Sequence, residues 1–112
     1  MTVRKTVTGI PTSQSFNFTI KFTDTTLLLY GEDSDVLIAN GEGSFTLKNG
    51  ESVTITGLPV GVGYTVTETD SKGYTASVNG TVGTELTSNI TTGSSVMFEV
   101  SSVPTVPFTL AV

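Results

Sequence analysis

The sequence predicts an all-β sandwich, and three observations carry that prediction. Thr, Ser, Val and Gly dominate the 112 residues while only 13% are charged, a balance that suits pleated, half-buried surfaces better than helices. No window spaces its apolar residues three and four apart, as an amphipathic helix would. Short alternating or apolar runs recur instead, with turn residues between them.

The elements follow in order. A first strand is expected over Thr2 to Thr8, stopped by Gly9-Ile10-Pro11. The second, Ser15 to Phe22, turns Phe16, Phe18, Ile20 and Phe22 to one face and Asn17, Thr19 and Lys21 to the other. Leu27 to Tyr30 and Val36 to Ala39 are short apolar runs around the acidic stretch Gly31-Glu32-Asp33-Ser34-Asp35. Phe45 to Leu47 and Val53 to Ile55 flank Lys48-Asn49-Gly50-Glu51, where Asn-Gly tolerates positive φ and predicts a hairpin of fixed register. The glycine-rich stretch Gly57 to Gly63 is a crossover into the strand Tyr64 to Thr69; it lacks the Lys-Ser/Thr ending of a phosphate loop and opens no helix. Tyr74 to Val78 turns at Asn79-Gly80, and Thr84 to Ile90 and Ser95 to Ser101 follow. The tail Val106 to Val112 is apolar at every even position, which makes it a last edge strand or a strand seeking another chain. One domain over residues 1–112 is expected, with 104–112 as an extra C-terminal edge or donor strand.

Composition removes several function classes. Five basic residues against ten acidic ones give a net charge of −5, unsuited to a nucleic-acid backbone or an anionic membrane. There is no Cys, His or Trp, which removes disulfides, thiol nucleophiles, Cys-based zinc sites and His-dependent acid/base catalysis. No apolar run reaches the roughly 18 residues of a membrane-spanning helix. The acidic stretch completes no Ca²⁺-loop template and reads as a solvated loop, so no metal and no cofactor are expected. Three Asn-x-Thr triplets, at Asn17, Asn79 and Asn89, are what chance supplies in a Thr-rich chain.

Two charges break the inside-outside rule. In Thr2-Val3-Arg4-Lys5-Thr6-Val7, alternation puts Lys5 on the side of Val3 and Val7; in Tyr64-Thr65-Val66-Thr67-Glu68-Thr69, it puts Glu68 with Tyr64 and Val66. An unpaired charge in an apolar interior costs several kcal/mol, so an inward Lys and an inward Glu imply that they meet or share a partner.

The order of the pieces resembles the isopeptide-bonded pilin and adhesin domains of Gram-positive surfaces, the CnaB-like group that includes streptococcal pilin domains. The resemblance rests on Val3 to Gly9, Phe16 to Ile20, the block Phe45 to Gly61 and Tyr64 to Asp70. It implies an immunoglobulin-like β-sandwich. It also implies a lysine on the first strand that attacks an asparagine carboxamide on the last, releasing ammonia, with a buried acid assisting. Lys5 matches the lysine and Glu68 the acid, and burial would favour the neutral, nucleophilic amine. The closing strand departs from the pattern: in Val96-Met97-Phe98-Glu99-Val100 the acceptor position is Val100, whose side chain has no carbonyl. Either the crosslink is lost or its acceptor lies elsewhere. Glu99 and Asn89 are the weak alternatives, both expected to point outward unless a bulge or a one-residue slip turns Glu99 inward.

The function this implies is a structural module of a bacterial cell-surface adhesin or pilus. It is extracellular, has other domains or subunits as partners, carries no turnover catalysis, and keeps Lys5 and Glu68 as a buried pair. No Leu-Pro-x-Thr-Gly signal follows Val103-Pro104-Thr105 and no signal peptide precedes Thr2, so neither export nor wall anchoring is expected to be encoded in this stretch. The rival reading is an assembly or ligation module, natural or engineered. It would receive or donate a strand, with Lys5 reacting with an Asn or Asp of a partner or with Val106 to Val112 pairing to a neighbour.

Overall fold

The computed structural model describes residues 1–8, 14–31, 34–70, 74–91 and 97–104, the last of these by their backbone. Nine strands form among them: β1 (Thr2–Val7), β2 (Phe16–Phe22), β3 (Glu42–Leu47), β4 (Ser52–Thr54), β5 (Gly63–Glu68), β6 (Tyr74–Val78), β7 (Thr81–Val82), β8 (Glu85–Asn89) and β9 (Met97–Pro104). They make an immunoglobulin-like sandwich of two sheets, one ordered β4-β1-β9-β6-β7 and the other β3-β2-β5-β8. Alternation supplies the core. β1 turns Val3 inward, β2 turns Phe16, Phe18, Ile20 and Phe22 inward, β5 turns Tyr64 and Val66 inward, and β6 turns Ala76 and Val78 inward. Leu47, Ile55, Leu58 and Ile90 are buried with them.

β9 fills the centre of the five-stranded sheet. It runs parallel to β1, from Thr2↔Met97 to Val7↔Ser102, and antiparallel to β6, from Tyr74↔Pro104 to Val78↔Val100. It therefore continues past Ser101, where the sequence suggested an end, and takes in Pro104; Val106 to Val112 lie outside the described residues.

The hairpin expected at Asn49-Gly50 is corrected by the topology. The turn forms, with Gly50 at φ 84° and the Glu51 N–H donating to the Lys48 carbonyl at 3.0 Å. Yet β3 pairs with β2 and β4 with β1, in opposite sheets. The open edge of β1 captures the turn itself: Gly50 N–H donates to the Lys5 carbonyl (2.8 Å), Lys5 N–H to the Glu51 carbonyl (3.0 Å) and Val7 N–H to the Asn49 side-chain Oδ1 (2.8 Å). Asn79-Gly80 does close a hairpin, with φ 48° and 85° and Val78 opposite Thr81.

The apolar runs Leu27 to Tyr30 and Val36 to Ala39 form the isolated bridges Leu29↔Ile38 and Ala39↔Glu42. One face of that ladder, Leu29 and Ile38, is buried, but Leu28, Tyr30 and Leu37 stay exposed, so apolar content there does not amount to a second layer of core.

Candidate functional site

Lys5 sits mid-strand in β1, its backbone bonded on one side to the turn at residues 50 and 51 and in parallel register with Val100 on the other. Glu68 ends β5, opposite Phe18 of β2, and its N–H donates to the Thr84 carbonyl at 2.8 Å. The two side chains come from opposite sheets and meet between them. Lys5 Nζ lies 2.5 Å from Glu68 Oε2, and both side chains are fully buried.

The surroundings are aromatic. Lys5 Nζ stands 4.2 Å from the centroid of the Phe16 ring and 6.0 Å from that of Phe18. Phe16 meets Tyr74 edge-on (5.9 Å, 73°), and Phe18 stacks on Phe45 (5.4 Å, 11°). Burial pushes the Lys5 ammonium below the usual lysine range, against the hydrogen bond and negative charge of Glu68 that hold its proton. The ring face of Phe16 also favours the cation. Glu68 Oε1 is buried and, among the described residues, accepts no hydrogen bond.

A buried amine that holds its proton less tightly than an ordinary lysine, touching a carboxyl, can act as a nucleophile with an adjacent acid/base. The missing reactant is an electrophilic carbonyl. The residue in register with Lys5 is Val100, which supplies none. Of the alternatives, Glu99 is in register with Arg4, whose side chain is exposed. Asn89 is exposed on β8 opposite Gly63, at the other end of β5 from Glu68 and roughly 17 Å along it. Asn89 is not brought to the pair.

No cluster of three metal-ligating side chains occurs among the described residues. Asp35, from the acidic stretch, uses its carboxylate on the Thr54 N–H (2.8 Å), and Ser34 Oγ accepts from Val36 N–H (3.0 Å); Glu32 and Asp33 lie outside the described residues.

Alternation alone brought Lys5 and Glu68 forward. The ring over the ammonium was signalled only indirectly, by the inward parity of Phe16 and Phe18. The bracing of Lys5 by Gly50 and Glu51 was hidden, because it depends on β4 leaving its expected partner.

Comparison with known proteins agrees with this architecture. Residues 1–101 match a family described as a domain of unknown function, DUF7601. Over 87 residues, 71% of the chain, the sequence is 40% identical to the pilus tip adhesin Cpa of Streptococcus pyogenes, covering 13% of that protein. A 36-residue stretch, 30% of the chain, is 61% identical to a pilin of Streptococcus pyogenes serotype M1 and covers 11% of it. Among solved structures, the pilus-presented adhesin Cpa superposes with a TM-score of 0.76 at 30% identity, over 92% of this chain and 26% of that one. The major pilin of Streptococcus pyogenes does so with a TM-score of 0.68 at 26% identity, over 92% of this chain and 46% of that one. The chain thus spans a minor part of each relative, and what it resembles are Gram-positive pilin and adhesin domains.

Proposed function

The chain belongs to the DUF7601 family, and from its likeness to pilus proteins we propose that it is a structural module of a bacterial cell-surface adhesin or pilus that holds its sheets together without a Lys–Asn isopeptide bond. One observation carries the second half of this reading: the residue in register with Lys5 is Val100. The lysine and the acid are in contact, and the position where a carboxamide would complete them holds an aliphatic side chain. Lys5 and Glu68 then act as a noncovalent tie between the two sheets, with the Phe16 ring beside the ammonium.

The module works outside the cell, joined to other domains or subunits of a surface protein, and performs no turnover chemistry. Its relatives are named as pilin and pilus adhesin, which supports that setting. A ligation module receiving a foreign strand is less well supported, because β9 already occupies the place beside Lys5. The test is the intact mass of the purified, denatured chain, with Lys5→Ala alongside. The expected mass is that of the unmodified sequence. A deficit of one ammonia or one water, absent in Lys5→Ala, would overturn the reading and establish an internal bond.

A further inference from the structure

β8 is an open edge. It ends the four-stranded sheet and pairs only with β5 among the described strands. The Glu68 N–H donates to the Thr84 carbonyl and the Ile90 N–H to the Val62 carbonyl, in the same register as the β5–β8 ladder. Antiparallel ladders alternate bonded and non-bonded pairs, so Leu86 and Ser88 bond β5 while Glu85, Thr87 and Asn89 direct their N–H and C=O groups away from it.

The other edges are shorter or covered. β7 has two residues. β4 is capped by Asp35, whose N–H donates to the Thr54 carbonyl and whose carboxylate takes the Thr54 N–H. β3 loses its first outward position to the mutual hydrogen bonds of Ala39 and Glu42. β8 also carries little of the usual protection: no proline, no bulge and none of the five basic residues of the chain, with Glu85 as its one charge.

From this we infer that β8 is a self-association edge, which pairs antiparallel with β8 of a second copy about a two-fold axis through Thr87. Outward-facing residues must pair with outward-facing residues. The register that uses all of them sets Thr87 against its own mate and Glu85 against Asn89 of the second copy, each pair exchanging both backbone hydrogen bonds. That register keeps the two Glu85 carboxylates apart, where direct opposition would repel. It also brings half-buried Leu86 beside Ser88 of the second copy on the core side, and it extends the threonine row that Thr65 and Thr87 begin with their hydroxyl contact of 2.8 Å. The two four-stranded sheets become one continuous sheet. A contact made mostly of backbone is weak in dilute solution, and it gains from the high effective concentration of tethered neighbours.

Thr87 makes the test specific, because its exposed side chain faces its mate across the axis while its N–H points away from β5, its one partner strand among the described residues. Sedimentation equilibrium is run on the full chain up to about 1 mM, with T87K, T87E, an equimolar mixture of the two, and a chain lacking residues 105–112; far-UV circular dichroism checks each fold. The expected result is a concentration-dependent dimer that T87K and T87E each abolish and that their mixture restores. A chain that stays monomeric throughout would overturn the inference. So would a dimer indifferent to both substitutions, or one lost only when residues 105–112 are removed, the last assigning the contact to the tail.

Discussion

Removing either member of the buried pair strands the other. Lys5→Met leaves the Glu68 carboxyl in an aromatic core with neither oxygen paired to the ammonium, and Glu68→Leu leaves an ammonium there; each is expected to cost about 3–5 kcal/mol. The double variant buries apolar groups of similar volume with no charge, so it should cost far less than the sum, a coupling that urea unfolding of all four chains would read. Additive losses would mean that the two groups stabilise the fold independently. Proton linkage gives the same pair a second signature. Because burial lowers the Lys5 pKa in the folded chain, the unfolded chain holds the proton to higher pH. Stability from this group therefore climbs as pH rises from the folded pKa to the ordinary lysine value, and it is lost again as pH falls back. Lys5→Met should lack that alkaline climb. The missing reactant can also be supplied. V100N places a carboxamide at the residue in register with Lys5, and the expected outcome is a mass deficit of one ammonia that disappears in the Lys5→Ala background. An unmodified mass for a well-folded V100N would mean that position 100 is not where the acceptor belongs.

Turns decide which sheet each strand joins, and they do so with different stringency. Gly41 and Gly50 both sit at positive φ, 73° and 84°. A Cβ on Gly50 would meet nothing within 4 Å, whereas one on Gly41 would lie 2.5 Å from the backbone carbonyl oxygen of Asp24 and 3.0 Å from the Thr25 Cα. Gly50→Ala should therefore cost only the left-handed penalty of about 1–2 kcal/mol, and Gly41→Ala clearly more, because the neighbour that must yield is backbone. Equal losses in denaturant midpoint would show that the 24–27 loop moves freely. The same turns mark how far the sequence could be read. Alternation in β1, β2 and β5 is a local property, so it located the core faces and the two inward charges. The Asn49-Gly50 turn was equally local and equally visible, but the partner of β4 was not, since the residues that pair with it, Thr2 to Arg4, and the Lys5 and Val7 groups that hold the turn lie far away in sequence. The bridged ladder at Leu29 and Ile38 has a related limit: an apolar run fixes that something is buried, not whether a sheet continues there.

The molecule closes through its most distant pairing. β1 and β9 lie at opposite ends of the sequence yet run side by side, and β9 is inserted between β1 and β6, where it completes the five-stranded sheet. Until it arrives, β1 and β6 each present an open edge and the core between the sheets lacks a wall. Pairings of such long sequence separation incur their loop-closure cost before any contact forms, which makes folding slow and all-or-none. A chain of residues 1–96 should accordingly lose its cooperative urea transition and bind hydrophobic dyes. Adding a peptide of residues 97–104 in trans should restore the transition, with a midpoint that rises with peptide concentration as binding to the folded state requires. Because the slope of unfolding against denaturant scales with the surface exposed, it reports whether β9 belongs to the cooperative unit. A 1–96 chain that unfolds with the midpoint and slope of the full chain would make β9 a passenger, and would leave Lys5 and Glu68 as the chief link between sheets that fold without it.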